Sequence, residues 1–198
     1  ASIQNIMHCL ACMLVLNYDI DELIDSIAEL SHVEMRLEMH QGLLDCLIIN
    51  DAYNSDLHSL NIALDFLKQQ QQYRKATVIL SDMFQTGMEQ KNLYANIVSM
   101  LEKRNIDKFI GIGKQLVLHQ KLFKNIPEQF FYENTDDFLN QHHINNFKQE
   151  TILVKGARIF AFEKICKSLQ KVSHQTVLEI NLNSIIHNLN VFKSLLKP

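Results

Sequence analysis

The chain has 198 residues, of which 47% are hydrophobic and 21% charged, ordinary values for a soluble globular protein with one good-sized core, or one domain plus fragments of its neighbours. Lys+Arg is 19 against Asp+Glu 22, a net charge of -3, which leaves no electrostatic footprint for nucleic acid and no basic face for anionic lipid. No apolar run approaches the roughly 20 residues that span a bilayer, so membrane insertion is not expected. The longest run, Cys9 to Leu16, reads as a buried helix.

Helical periodicity fills 3–16. A second helix is expected from Asp19 to about Leu30, with Asp19 as N-cap and Glu22 as capping-box partner. The texture changes near 37, and the apolar run Leu43 to Ile49 reads as a buried strand. A helix follows at 57–70, with the short Gln69–Gln72 run as its solvated end. Strands then alternate with helices: strand 77–80 and helix 89–103, strand 108–111 and helix 114–121, strand 129–132 and helix 135–142, strand 151–154 and helix 159–170. Short, fully apolar strands in repeated strand–helix units indicate an α/β fold with a mostly parallel sheet flanked by helices. A further strand is expected at 176–180 and a helix from Asn183 to Leu196. Ligands of such sheets sit at the carboxyl ends of the strands, so the residues that follow the strands matter most.

Several features bear on chemistry. The N-terminus has no basic segment or cleavage signal of a secretory leader. It opens on Ala1 rather than Met, which reads as a piece of a longer protein. Four cysteines are too few for a disulfide scaffold and fit a reducing cytoplasm. Cys9 and Cys12 form a CxxC beside His8, but they lie in an apolar helical run with no second Cys/His pair at zinc spacing, so the packing reading is preferred. The first strand runs into Asn50-Asp51-Ala52-Tyr53-Asn54-Ser55-Asp56. This cluster suits ribose hydroxyls or metal-bound water, and equally suits helix capping by Ser55 or Asp56. Arg36 lies between two elements, able to pair with Asp51, to grip a nucleotide, or to form only a surface salt bridge. Ser81-Asp82 through Gly87 makes an acidic loop closed by glycine. Lys155-Gly156-Ala157-Arg158 precedes a helix, where backbone N–H groups and two cations favour carboxylate or phosphate. Gly111-Ile112-Gly113-Lys114 fails the Walker pattern, because position 115 is Gln and position 108 is Lys. The histidines are scattered, and His142-His143 reads as surface.

Taken in order and spacing, Met35-Arg36-Leu37-Glu38, Leu47 to Ser55, Leu80-Ser81-Asp82-Met83 with Gly87, and Leu153 to Arg158 resemble the Mur ligases across about residues 1–170. Within that family they are most similar to the branch that adds D-alanyl-D-alanine to UDP-MurNAc-tripeptide. The Asp-x-Tyr-Asn and Lys-Gly-x-Arg patterns favour this cell-wall branch over a folylpolyglutamate-synthetase-like relative. The resemblance implies residues 1–34 as the last helices of a central ATPase domain and 35–171 as a Rossmann-like C-terminal domain. It implies an ATP- and Mg²⁺-dependent amide ligase working through an acyl phosphate, whose small-molecule partners are UDP-MurNAc-tripeptide and D-Ala-D-Ala. It also implies that the N-terminal and central ligase domains are missing from this sequence. Asn5, Arg36 and Asp51 match nucleotide-binding positions, while Asn54, Lys155 and Arg158 match positions near the dipeptide or acyl phosphate. The family usually has Asn-Pro where this chain has Asp56-Leu57, and Gly-Asp-Met where it has Ser81-Asp82-Met83. Residues 172–198 differ: Thr176 to Asn190 resembles the opening of an alanine racemase, so the parent is expected to be a ligase–racemase fusion. Pyridoxal phosphate would belong to the part of the racemase not included here. Without a phosphate loop, the 198-residue chain is expected to be inactive by itself. A non-catalytic nucleotide-binding module and an isomerase are the competing readings.

Overall fold

The computed structural model describes residues 3–19, 36–84, 87–171 and 182–196. The chain begins with helix α1 (Ile3–Val15). Strand β1 (Glu38–Gln41), a 3-10 turn (Leu43–Asp45) and β2 (Leu47–Asp51) follow. Next come α2 (Leu57–Gln70), β3 (Lys75–Ser81), α3 (Gln90–Lys103), β4 (Lys108–Ile112) and α4 (Lys114–Leu118). Then follow β5 (Glu128–Tyr132), α5 (Thr135–Gln141), β6 (Glu150–Lys155), a 3-10 turn (Arg158–Phe160), α6 (Glu163–Leu169) and α7 (Leu182–Leu195). The expected helix at 19–30 and strand at 176–180 lie outside the described residues.

The strands form one six-stranded sheet in the order β1-β2-β6-β3-β4-β5, parallel except for the antiparallel edge strand β1. Right-handed crossovers explain the layering. The connections from β2 to β3 to β4 to β5 all step in one direction, so α2, α3 and α4 share one face. The connection from β5 back to β6 steps the other way and puts α5 on the opposite face, where α6 joins it. Strand residues alternate accordingly: Ile49, Val78, Leu80, Phe109 and Leu153 pack under α2 and α3, while Ile48, Ile79, Ile110, Ile152 and Val154 pack under α5 and α6. Two covered faces explain why the strands read as unbroken apolar runs. Helix α2 buries Leu60, Ala63, Leu64 and Leu67, the i, i+3, i+4, i+7 stripe of an amphipathic helix.

Four expectations need correction. Leu43–Asp45 is not strand, because Leu44 and Asp45 take left-handed φ values of 52° and 56° and turn the chain before β2 begins. The helix expected over 159–170 is broken by Ala161, also left-handed at φ 50°, and restarts at Glu163. Cys9–Leu16 is helical but not buried: Met7, Leu14, Val15 and Leu16 are exposed, as nothing among the described residues covers them. His142 is not a surface residue. It is 6% exposed, with Nδ1 against the Tyr132 hydroxyl at 2.9 Å and its ring among Phe130, Phe138 and Phe147. Burial lowers its pKa to about 4, with the Lys108 charge adding to the effect. His143 beside it is exposed.

Candidate functional site

The carboxyl ends of β2, β3 and β6 gather five of the six residues singled out in the sequence. Strand β6 ends on Lys155 and pairs in register with β2, so that Lys155 stands beside Asp51. The Lys155 ammonium, 1% exposed, donates to Asp51 Oδ2 at 2.5 Å and to the Asn54 carbonyl at 2.9 Å. Burial raises the pKa of the Asp51 carboxyl. The Lys155 ammonium works against that rise, as do the Leu37 N–H and the Arg36 charge. Leu37 delivers its N–H from a left-handed φ of 51°, a conformation that costs a non-glycine residue roughly 1–2 kcal/mol.

Asn54 serves the loop. Its Oδ1 accepts from Ser55 N at 2.9 Å and its Nδ2 donates to Asp56 Oδ2 at 3.1 Å. Asp56 caps α2 in a reciprocal capping box with Ser59, which settles the choice between Ser55 and Asp56 as cap. Burial pushes the Asp56 carboxyl up, but the Ser59 hydrogen bonds and the Lys155 charge outweigh it, leaving the pKa lowered.

Arg36 and Arg158 come from segments far apart in sequence and meet on one ring. The Arg36 guanidinium carbon lies 4.9 Å from the Tyr53 ring centroid and that of Arg158 lies 5.9 Å away. Both arginines and Tyr53 are exposed. Among the described residues neither guanidinium has a carboxylate partner or donates a hydrogen bond. A guanidinium over an aromatic face is attracted by the ring quadrupole and keeps its planar fork of N–H donors free for an oxyanion. The loop that carries Arg158 is fixed from two sides. Ala157 N donates to Ser81 Oγ at 2.8 Å, tying β6 to the end of β3. A Cβ on Gly156 would meet the buried Phe162 ring at 2.5 Å, so only glycine lets the chain turn there.

The structure separates residues that the sequence grouped. Lys155 points inward and is fully engaged, while Arg158 points outward and has no hydrogen-bond acceptor or carboxylate partner among the described residues. Asp82 is 3% exposed and accepts from Tyr94 Oη, Gln115 N and Leu116 N. A Cβ on Gly113, whose φ is +141°, would strike its carboxylate at 2.2 Å. Asp82 is therefore a fixed cap for α4. Asn5 lies on α1, and its side chain is outside what is described. Sequence reasoning assigned no role to Tyr53; an aromatic residue between two strand-end arginines was the available signal.

Fold and site together define a doubly covered, mostly parallel α/β domain whose strand ends carry Arg36 and Arg158 on Tyr53 beside the Asp51–Lys155 pair. The chain belongs to the Mur ligase family: residues 35–158 match the Mur ligase, glutamate ligase domain. It is 25% identical over 172 residues to UDP-N-acetylmuramoyl-tripeptide–D-alanyl-D-alanine ligase of Escherichia coli, covering 86% of this chain and 37% of that protein. It is 27% identical over 138 residues to the Bacillus subtilis enzyme of the same name, covering 68% and 30%. The chain thus spans about a third of the length of these relatives. In fold it is similar to MurF from Acinetobacter baumannii, with a TM-score of 0.70 at 18% identity, covering 84% of this chain and 37% of that one. A MurF ligase from Thermotoga maritima in complex with ADP gives a TM-score of 0.55 at 17% identity, covering 80% and 35%.

Proposed function

We propose that this domain is the C-terminal part of an ATP-dependent ligase that joins D-Ala-D-Ala to UDP-MurNAc-tripeptide through an acyl phosphate. Two curated relatives are named as ligases of UDP-N-acetylmuramoyl-tripeptide and D-alanyl-D-alanine. The observation that carries the reading is the meeting of Arg36 and Arg158 on Tyr53, above the buried Asp51–Lys155 pair. Two exposed guanidiniums at the strand ends suit charge on a transferring phosphoryl group. Asp51, Lys155 and Asn54 act mainly as positioning residues: they fix the β2 and β6 ends from which Tyr53 and Arg158 project. Mg²⁺ accompanying the nucleotide would neutralise phosphate charge. Among the described residues no three His, Cys, Asp or Glu side chains cluster to hold it, and Asp51 is engaged by Lys155. The donors present here suit an anion better than a cation.

In this reading residues 1–34 close a central ATPase domain, 35–171 form the C-terminal domain, and 172–198 open an alanine racemase domain for which pyridoxal phosphate would be the cofactor. Helix α7 is consistent with the helix expected there from the sequence, and its Ile185, Leu189 and Phe192 are exposed. A cytoplasmic location belongs to the same reading; among the described residues no helix is long and apolar enough to cross a membrane. Domain closure would bring the guanidiniums over nucleotide held elsewhere, as mobile domains commonly do. The 198-residue chain alone then gives no phosphate release above background with all substrates present. The parent protein is expected to form the pentapeptide product from ATP, UDP-MurNAc-tripeptide and D-Ala-D-Ala. Absence of product from well-folded parent protein would refute the proposal.

A further inference from the structure

The two edges of the sheet are finished differently. Along β1, Lys171 N donates to the Gln41 carbonyl and Gly42 bridges Gln170, so the chain leaving α6 covers part of that edge. Strand β5 forms the other edge. Strands β4 and β6 are buried throughout, whereas no residue of β5 is buried. Its bonds to β4 use alternate residues. Glu128 N donates to Asp107 O and Tyr132 O accepts from Gly113 N, so in this parallel register residues 128, 130 and 132 bond to β4. The N–H and C=O groups of Gln129 and Phe131 therefore point away from the sheet, and no described group bonds them. Such a row of unpaired backbone groups is a template for another strand, and natural edges are commonly blunted by lysine, proline or a bulge. Glu-Gln-Phe-Phe-Tyr has none of these; Pro127 stands just before it.

The pattern of this edge is complementary to itself. The free groups of Gln129 and Phe131 allow an antiparallel ladder in which Gln129 faces Phe131 of a second copy, and Phe131 faces its Gln129. That register is two-fold symmetric and closes about four backbone hydrogen bonds. At its centre Phe130 lies directly opposite its own copy in a non-hydrogen-bonded pair, where Cα atoms are about 4.5 Å apart and side chains are closest. Phe130 is 37% exposed, with its ring edge-on to His142, and a second Phe130 ring covers what is left in a favourable cross-strand aromatic pair. Glu128 falls opposite Tyr132. The two Glu128 carboxylates stand roughly 13 Å apart along the strands, beyond a Debye length, and each is paired with Lys75 at 2.7 Å. No like charges are opposed. A slip of two residues would set Phe131 against Pro127, which has no N–H to give.

We infer that β5 pairs antiparallel with β5 of a second copy of this chain, joining two six-stranded sheets edge to edge in a dimer. The carboxyl ends of the two sheets then face opposite ways. The strand-end cluster on β2 and β6 lies at least three strands from β5 and stays uncovered by this pairing. A contact this small makes the dimer weak and reversible. The inference does not depend on the ligase activity.

Sedimentation equilibrium of the 198-residue chain, from about 10 μM to about 1 mM, should show a reversible rise in mass toward twice that of the monomer. Phe130→Lys sets two ammonium groups opposite each other and should weaken association about tenfold or more, with the circular dichroism spectrum unchanged. Where that variant fails to fold, cross-linking decides. In a background of Cys9→Ser and Cys12→Ser, which removes the exposed thiols, Phe130→Cys should give a covalent dimer under mild oxidation. Glu128→Cys should not, because its two thiols lie beyond disulfide reach. The inference is overturned if the chain stays monomeric up to about 1 mM, if folded Phe130→Lys associates as tightly as the unaltered chain, or if position 128 cross-links as readily as position 130. Association through the exposed apolar faces of α1 or α7 would give the last two results.

Discussion

The sheet carries a buried lysine–carboxylate pair at each end, and the two pairs differ in what surrounds them. At the amino ends, Lys108 and Glu150 are 1% and 2% exposed and 2.8 Å apart. Glu150 also takes the Thr77 hydroxyl, Lys108 the Asn146 carbonyl, and the Phe147 ring lies against the ammonium. That network continues outward only through Lys75 and Glu128, which pair with each other at 2.7 Å at its exposed rim. At the carboxyl ends, Lys155 and Asp51 are closer still at 2.5 Å, but beside them stand two guanidiniums with no ion-pair partner among the described residues and an exposed tyrosine. A buried ion pair is thus by itself no sign of a functional site. The informative difference is whether polar groups beside it remain unsatisfied and reachable.

The largest expected effect falls on the closed end. Lys108→Met or Glu150→Leu removes the nearest partner of a buried charge, leaving it only the longer contact to Lys75 or Glu128, and should lower unfolding stability by about 3 kcal/mol in denaturant titrations. Nearby, His142 makes the closed end pH-sensitive. Its folded pKa lies below its unfolded value of 6.5, so its contribution is fully present above pH 6.5 and is lost as pH falls toward about 4. The loss approaches about 3 kcal/mol. His142→Phe should flatten stability across that window, and an unchanged slope would show that His142 is not the titrating group. Asp56→Ala removes the α2 cap and should cost about 1 kcal/mol. The smallest stability effects belong to the open end: Arg36→Ala and Tyr53→Ala sit on exposed surface and should change unfolding by less than about 0.5 kcal/mol. If Tyr53→Ala proves strongly destabilising, the ring is structural and the contrast between the two ends weakens.

The fold and the carboxyl-end group were largely legible in the sequence, the Lys108–Glu150 pair was not, and the limits have physical causes. The α/β alternation showed clearly because both sheet faces are covered, which makes each central strand an apolar run. Strand β1, Glu-Met-His-Gln, was missed because an edge strand half open to solvent alternates too briefly to register. Leu43-Leu44 resembled strand because composition does not reveal a left-handed turn. His142 looked exposed because its apolar neighbours in space, Phe130, Phe138 and Phe147, arrive from separate elements. The grouping of the strand-end residues was legible through their position after apolar runs. Their division into inward Lys155 and outward Arg158 was not, since it depends on how β6 pairs with β2.

The most direct test compares Arg36→Ala and Arg158→Ala with Lys108→Met in the parent protein, measuring both ATP-dependent product formation and unfolding midpoint. The arginine variants should lose kcat/KM by about a hundredfold, on the order of 2.7 kcal/mol of transition-state stabilisation, with the midpoint unmoved. Lys108→Met should shift the midpoint while its folded fraction turns over at nearly the parent rate. Full turnover in both arginine variants would contradict the assignment of the open end as the functional one.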